Sequence, residues 1–273
     1  MQPQAQNEGP SISSLIAMDP AELAERLLEP ATMQAIYEDT EAIIARDRTP
    51  EGLAALVANA LDTMEAVWRD LEPETTDYAC RKGCSWCCHQ SVMTTAAEVL
   101  YAAKFLHDNL TPSEVLRLRD KVAARAKQAE GMDNDQRMDR RIPCAFLSDG
   151  ICTIYPVRPL QCRGGFSEDS EYCRNLLERR EETQAGVANG AIEGKYLLLP
   201  KMLYDSAQVG MAGALSKDGL NSDPLDFATA MAIALGDRDI ADKWLRGQPV
   251  FERARLHRLP GDRTDRYVTR PAQ

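Results

Sequence analysis

Eight cysteines, all lying between Cys80 and Cys173, constrain this chain more than any other feature. Four of them crowd into Cys80-Arg81-Lys82-Gly83-Cys84-Ser85-Trp86-Cys87-Cys88, a C-x3-C-x2-C-C pattern. Free cysteine can pack as a small hydrophobe, but unrelated core thiols do not cluster in this way. Disulfide scaffolds are short, secreted and far richer in cysteine. The opening residues, MQPQAQNEGPSISSLIAMDP, have neither a basic leader nor an apolar run, so no secretory signal is expected. A reducing, cytoplasmic setting is expected instead, where clustered cysteines bind metal or do redox chemistry.

Chelation needs several thiolates to converge, and Gly83 gives the first loop freedom to turn them inward. Adjacent Cys87 and Cys88 cannot serve one tetrahedral ion equally, because neighbouring side chains diverge in strand and helix alike. Either one is spare, or the site is polynuclear or split between two metals. His89, directly after the cluster, is an alternative ligand, a hydrogen-bond donor to a ligand or simply an exposed histidine.

The second group is Cys144, Cys152 and Cys162, with Cys173 further on. Residues 144–155 carry apolar and β-branched arms around Asp149-Gly150, a hairpin signal. A bulged turn with Gly150 left-handed would put Cys144 and Cys152 on one face, and a two-residue turn would put them on opposite faces. A shared metal is expected to require the bulged register. Arg158-Pro159-Leu160-Gln161-Cys162-Arg163-Gly164-Gly165 then reads as a short helical turn that sets Cys162 beside two arginines. Four thiolates on a divalent ion carry a surplus negative charge, which Arg158 and Arg163 could offset; ordinary surface pairing is the alternative.

Around the cysteines the sequence reads as helices. Asp19-Pro20, Thr111-Pro112 and Asp223-Pro224 each place a capping oxygen before a proline, with an acid two residues on. Thr49-Pro50 opens another helix, and Thr95 with Glu98 forms a capping box. Leu53, Leu56, Val57, Leu61, Met64, Trp68 and Leu71 make an amphipathic stripe, read as packing and not as a cofactor box. Met33, Ile36, Tyr37, Ile43 and Ile44 mark a further helix, and a helical hairpin is expected over residues 95–128. Residues 130–141 read as a polar loop. The expected organisation is a disordered N-terminus over 1–18, N-terminal helices over 19–79 and a cysteine-cluster region over 80–173 with the inserted hairpin. C-terminal helices over 174–260 and a flexible tail over 261–273 complete it. The fold class is mainly α, with an irregular cysteine region and one short β-hairpin.

The motifs Cys80-x3-Cys84-x2-Cys87-Cys88, Pro143-Cys144-x-Phe146-Leu147 and Cys152-x-Ile154-Tyr155-Pro156-x-Arg158-Pro159-x-x-Cys162-Arg163 resemble the YkgJ-type CxxCxxCC cysteine-cluster family. The resemblance covers residues 80–163. It implies zinc or iron chelation, with some relatives labelled iron–sulfur oxidoreductases and a flagellin lysine methylase among them. Cys173 lies outside the matched motif.

The function expected is a metal-binding cysteine-cluster protein holding an iron–sulfur centre or zinc, redox-active or protein-modifying. A structural zinc-binding helical interaction module without catalysis is the alternative. Cys80-x3-Cys84-x-Trp86-Cys87 also fits the radical SAM pattern, which calls for alternating strands and helices that the downstream sequence lacks. The candidate ligands are Cys80, Cys84, Cys87, Cys88, Cys144, Cys152 and Cys162, with Arg158, Arg163 and His89 around them; one composite site is expected to use Cys80, Cys84, at least one of Cys87 and Cys88, and some of Cys144, Cys152 and Cys162. A helix beginning near Ser170 is expected to bury Cys173 as a dispensable packing residue. His107 and His257 show no pairing with a cysteine, no phosphate-binding glycine loop is present, and no catalytic residue is assigned. With 42 acidic against 32 basic residues the net charge is −10, so neither nucleic acid nor membrane is expected as partner. A protein or small-molecule substrate remains open.

Overall fold

The computed structural model describes residues 30–71, 78–258 and 267–269. The expected helix start at Asp19-Pro20 and the expected disorder of residues 1–18 lie outside them. The fold is mainly α-helical, with eleven α-helices among the described residues and only two-stranded antiparallel ladders beside them. The parallel sheet that a radical SAM barrel needs has no counterpart there. No helix among the described residues is long and apolar enough to cross a membrane.

Helices α1 (Pro30–Arg46) and α2 (Pro50–Leu71) come first. The Thr49 hydroxyl accepts the Gly52 amide at 3.1 Å, as its place before Pro50 suggests. The expected stripe of α2 is the core face: Leu53, Leu56, Val57, Leu61, Met64 and Trp68 are all buried. Next come α3 (Ala96–Asn109) and α4 (Pro112–Ala129), the expected helical hairpin, each opened by a complete capping box, from Thr95 with Glu98 and from Thr111 with Glu114.

Further on lie α5 (Asn134–Asp139), α6 (Leu160–Arg163), α7 (Ser170–Glu178) and α8 (Arg180–Ala188). The long α9 (Leu198–Lys217), then α10 (Phe227–Ala234) and α11 (Ile240–Leu245), complete the set. Helix α9 lies along α1, and α10 packs against α4 and α3.

Four expectations are corrected. The stretch read as a polar loop contains α5, because Asp133 and Gln136 form a capping box of their own. Asp223-Pro224 does not open a helix: Leu225–Asp226 form strand β4, paired with β1 (Met93–Thr94), and Asp226 caps α10 instead. The single expected hairpin, β2 (Leu147–Ser148) with β3 (Ile151–Cys152), is joined by two further ladders, β1–β4 and β5 (Leu256–Arg258) with β6 (Tyr267–Thr269). Strand β6 falls within the stretch read as a flexible tail. Its backbone pairs with β5, and the buried Thr269 hydroxyl accepts the Gly131 amide at 3.4 Å.

The contact between α1 and α9 is close enough to demand glycine. A Cβ on Gly210 would fall on the Met33 carbonyl oxygen and lie 3.2 Å from the Tyr37 amide nitrogen, whereas one on Gly213 would meet only the Tyr37 ring, at 3.5 Å. Gly210→Ala should therefore force the helices apart and destabilise by about 1–3 kcal/mol. Gly213→Ala should be neutral or stabilising by up to about 1 kcal/mol, through helix propensity. Urea denaturation of the two variants tests this, and equal effects would contradict the packing described.

Arg180 ties α8 to the unexpected α5, donating from Nε and an Nη to the two carboxylate oxygens of Asp139 at 3.0 and 2.9 Å. That bond holds the Asp139 carboxyl below its usual range. A depressed folded pKa contributes stability above the ordinary carboxylate value, lost as pH falls through the lower folded one. Asp139→Asn should flatten the acid limb of a stability–pH curve below about pH 4. An unchanged acid limb would count against the pair, whose exposure already keeps its contribution small.

Candidate metal centre

The first cysteine segment is built from two tight turns. The Cys84 amide donates to the Arg81 carbonyl at 2.9 Å, with Gly83 at φ +94°, a conformation that favours glycine. Residues Trp86–His89 then form a 3-10 turn, closed by the Cys88 amide on the Ser85 carbonyl at 3.0 Å. Side chains on a 3-10 turn project about 120° apart, so Cys87 and Cys88 look in different directions.

The hairpin has the two-residue turn, not the bulged one: Leu147 faces Cys152 and Ser148 faces Ile151, with Asp149 and Gly150 both at positive φ. The expected condition for a shared site is thereby corrected. Strand parity does not reach Cys144, because Cys144–Leu147 is itself a turn, closed by the Leu147 amide on the Cys144 carbonyl at 3.1 Å. That turn breaks the alternation, and Cys144 and Cys152 lie within range of each other's charge.

Three contacts hold the two segments together. The Cys144 amide donates to the Cys88 carbonyl at 2.7 Å, and the Ala79 amide to the Ser167 carbonyl at 3.0 Å. Gly150, at the hairpin tip, approaches so closely that an added Cβ would sit 3.3 Å from the Gly83 carbonyl oxygen. Beneath them Trp68, Tyr78 and Phe166 form an aromatic cluster with ring centroids 5.1–6.1 Å apart. Trp68 is thus the packing residue that its spacing suggests, and it roots both segments on α2.

None of the eight thiols is in a disulfide; Cys80 and Cys87 are exposed and the other six partly buried. Cys87 is the meeting point, since its charge is felt at Cys80, Cys88, Cys152, Cys162 and Cys173. A hydrogen bond from the Cys88 thiol draws the Cys87 pKa down to about 7, and that same bond, with burial, drives Cys88 upward. Burial raises Cys144, Cys152 and Cys162 and takes Cys173 to about 11, and partial loss of solvent raises even the exposed Cys80. Among the described residues no three His, Cys, Asp or Glu side chains are drawn in tightly enough to clasp one ion. The close convergence expected of the composite site is therefore not met at ligand distances: the sulfurs are neighbours, not a closed cage.

The two arginines part company. The Arg158 guanidinium faces the thiols, its charge favouring thiolate at Cys80, Cys87, Cys152 and Cys162. It lies 4.2 Å from the Tyr155 ring centroid, and its buried Nε has no hydrogen-bond partner among the described residues. Arg163 turns away. It donates to the carbonyls of Arg158 and Pro156 at 3.2 and 2.6 Å and pairs with Glu65, which makes it a brace for the loop. The Nδ1 of His89 lies 3.3 Å from the Trp86 carbonyl oxygen, within its own turn.

Cys173 is not a detached packing residue. Helix α7 packs on the Trp86–His89 turn, and Cys173 lies within charge range of Cys80, Cys84 and Cys87. Two neighbours carried no signal in the sequence. Burial, and after it the charges of Cys87, Cys173 and Cys80, raise the Tyr196 phenol pKa. The nearly buried Arg137 lies near Cys144, with its Nη1 3.7 Å from Asp226. Gly164 and Gly165 are more than a simple turn. A Cβ on Gly164 would lie 3.1 Å from the Pro200 carbonyl, and one on Gly165 2.9 Å from the Tyr196 hydroxyl, so bare backbone lets α9 and Tyr196 close over the loop.

The donor set is all soft sulfur, with the half-buried Arg158 to offset thiolate charge, and this suits zinc or iron. Comparison with curated proteins and with solved structures finds no match. The cysteine region over residues 79–177, with Cys173 inside the span, matches the family model CxxCxxCC, described as a putative zinc- or iron-chelating domain.

Proposed function

We propose that this chain is a metalloprotein in which thiolates from both cysteine segments hold an iron–sulfur centre. The observation that carries the reading is the 2.7 Å hydrogen bond from the Cys144 amide to the Cys88 carbonyl, which joins the two segments at their cysteines. Eight reduced thiols in one region exceed what a single zinc ion uses. Arg158 is suited to balance the negative charge of a sulfur-ligated iron centre. When bound, such a group would supply one-electron chemistry. The chain's own part is to gather the sulfurs, lower the dielectric around them and fix their separation through the turns at Gly83 and Asp149-Gly150.

A structural zinc reading stands second, supported by the packing of α7, which carries Cys173, on the Trp86–His89 turn, a contact that bound zinc would cross-link. In that case the helices would present a binding surface for a protein partner.

Anaerobic purification with elemental analysis and visible spectroscopy separates the readings. A brown protein carrying iron and acid-labile sulfide is expected. A colourless protein with stoichiometric zinc would replace it with the second reading, and a metal-free folded protein would contradict both. Cys84→Ser and Cys144→Ser should each lower bound metal, because each removes a thiol from a different segment. Stripping the metal with a chelator should lower the Tm, since such sites contribute folding free energy directly.

A further inference from the structure

Away from the cysteine segments, at the C-terminal end of α3, the helices leave a cavity of about 260 Å³ between α2, α3, α11 and the end of α10. Its floor is apolar, built from Leu53 on α2, Leu100 and Ala103 on α3 and Ile240 on α11, all of them buried. A dry cavity of about 150 Å³ already admits benzene, so this one has room for a six-membered ring with a substituent.

One polar side chain in the wall is left unsatisfied. Both ring nitrogens of His107 are shut off from solvent, and neither has a hydrogen-bond partner among the described residues. Burial holds the His107 pKa below its usual value, so at pH 7 the ring is neutral, with a proton on one nitrogen and a lone pair on the other. The Ala234 carbonyl is close enough to favour the charged ring, yet it lies outside hydrogen-bond geometry with either nitrogen. As an acceptor it could serve only the protonated nitrogen. The lone pair therefore lacks a donor among the described residues. The ring torsion of histidine is broad and roughly two-fold, so a half-turn exchanges nitrogens with carbons and brings the lone pair round to the cavity.

The charges at the rim nearly cancel. Lys104 pairs with Asp108 at 3.1 Å and lies 3.9 Å from Glu51, Asp237 pairs with Lys243, and Arg238 and Asp242 add one charge of each sign. Such a rim suits a ligand without net charge.

We propose that this cavity binds a small uncharged organic molecule, an alcohol or phenol, whose hydroxyl donates to His107 while its hydrocarbon part lies on the apolar floor. The site is separate from the metal centre and does not depend on the metalloprotein reading, because no cysteine lines it.

Four probes of one shape test this by calorimetric titration of the full chain: benzyl alcohol, toluene, benzoate and benzylammonium. Benzyl alcohol should bind saturably and about tenfold more tightly than the other three, the scale of one hydrogen bond to an otherwise unpaired buried group. It should also shift the ring resonances of one histidine in the proton NMR spectrum. His107→Phe keeps the bulk of the ring, so it should leave toluene binding unchanged and abolish the advantage of benzyl alcohol. Absence of saturable binding by benzyl alcohol overturns the proposal, as does equal binding of toluene to the wild type, which marks an apolar void only. Tighter binding of benzoate or benzylammonium overturns it too, because the rim would then select charge. Should His107→Phe fail to fold, the wild-type spectrum decides: benzyl alcohol that shifts no histidine ring contradicts the assigned contact.

Discussion

One buried carboxylate sets the frame on which the cysteine region hangs. Glu98 is 2% exposed, and its Oε2 accepts from the Thr95 amide, the Thr94 and Thr95 hydroxyls and the Gln208 side chain. Its Oε1 accepts the Leu160 amide at 2.8 Å. A buried carboxylate is tolerated only when its lone pairs are filled, and here the donors come from β1, the Thr95 cap of α3, α6 and α9. Helix α6 carries Cys162, β1 follows the first cysteine segment, and the glycines after Cys162 let α9 close in. The Met93 amide donates to the Gln161 side chain at 2.5 Å, beside the same junction. Losing the carboxylate would leave several buried donors unpaired at once.

On that frame the thiols are held near one another at an electrostatic cost. Burial and mutual proximity raise most of them, so as a metal-free group they favour the protonated form. Cys87 alone is drawn strongly the other way, through the Cys88 thiol and Arg158. A cation bound among these sulfurs would reverse that balance, because its charge stabilises thiolate outright. The helices therefore serve as a rigid holder, while the short turns set where the sulfurs point.

How much of this was legible in the sequence depended on the range of the interaction. Capping boxes at Thr95 and Thr111 are local, and both formed as read. The Asp149-Gly150 hairpin was equally local, yet the parity argument failed for Cys144, because a second turn interrupts the strand before it. Asp133 capped a helix that polarity alone concealed. Asp226 displaced Asp223 as a cap because Leu225 pairs with Thr94, a partner far off in sequence. Joining the two cysteine groups was an expectation from chain path, and the Cys88–Cys144 bond supports it. The surroundings of Cys173 were not legible: they depend on Ser167 and on α7 packing against the first segment.

X-ray absorption at the iron and zinc edges, on protein as purified without oxygen, tests the central claim most directly. The account predicts a first shell made of sulfur alone, at about 2.3 Å. A shell dominated by nitrogen or oxygen would contradict it, because every ligand assigned in this chain is a cysteine.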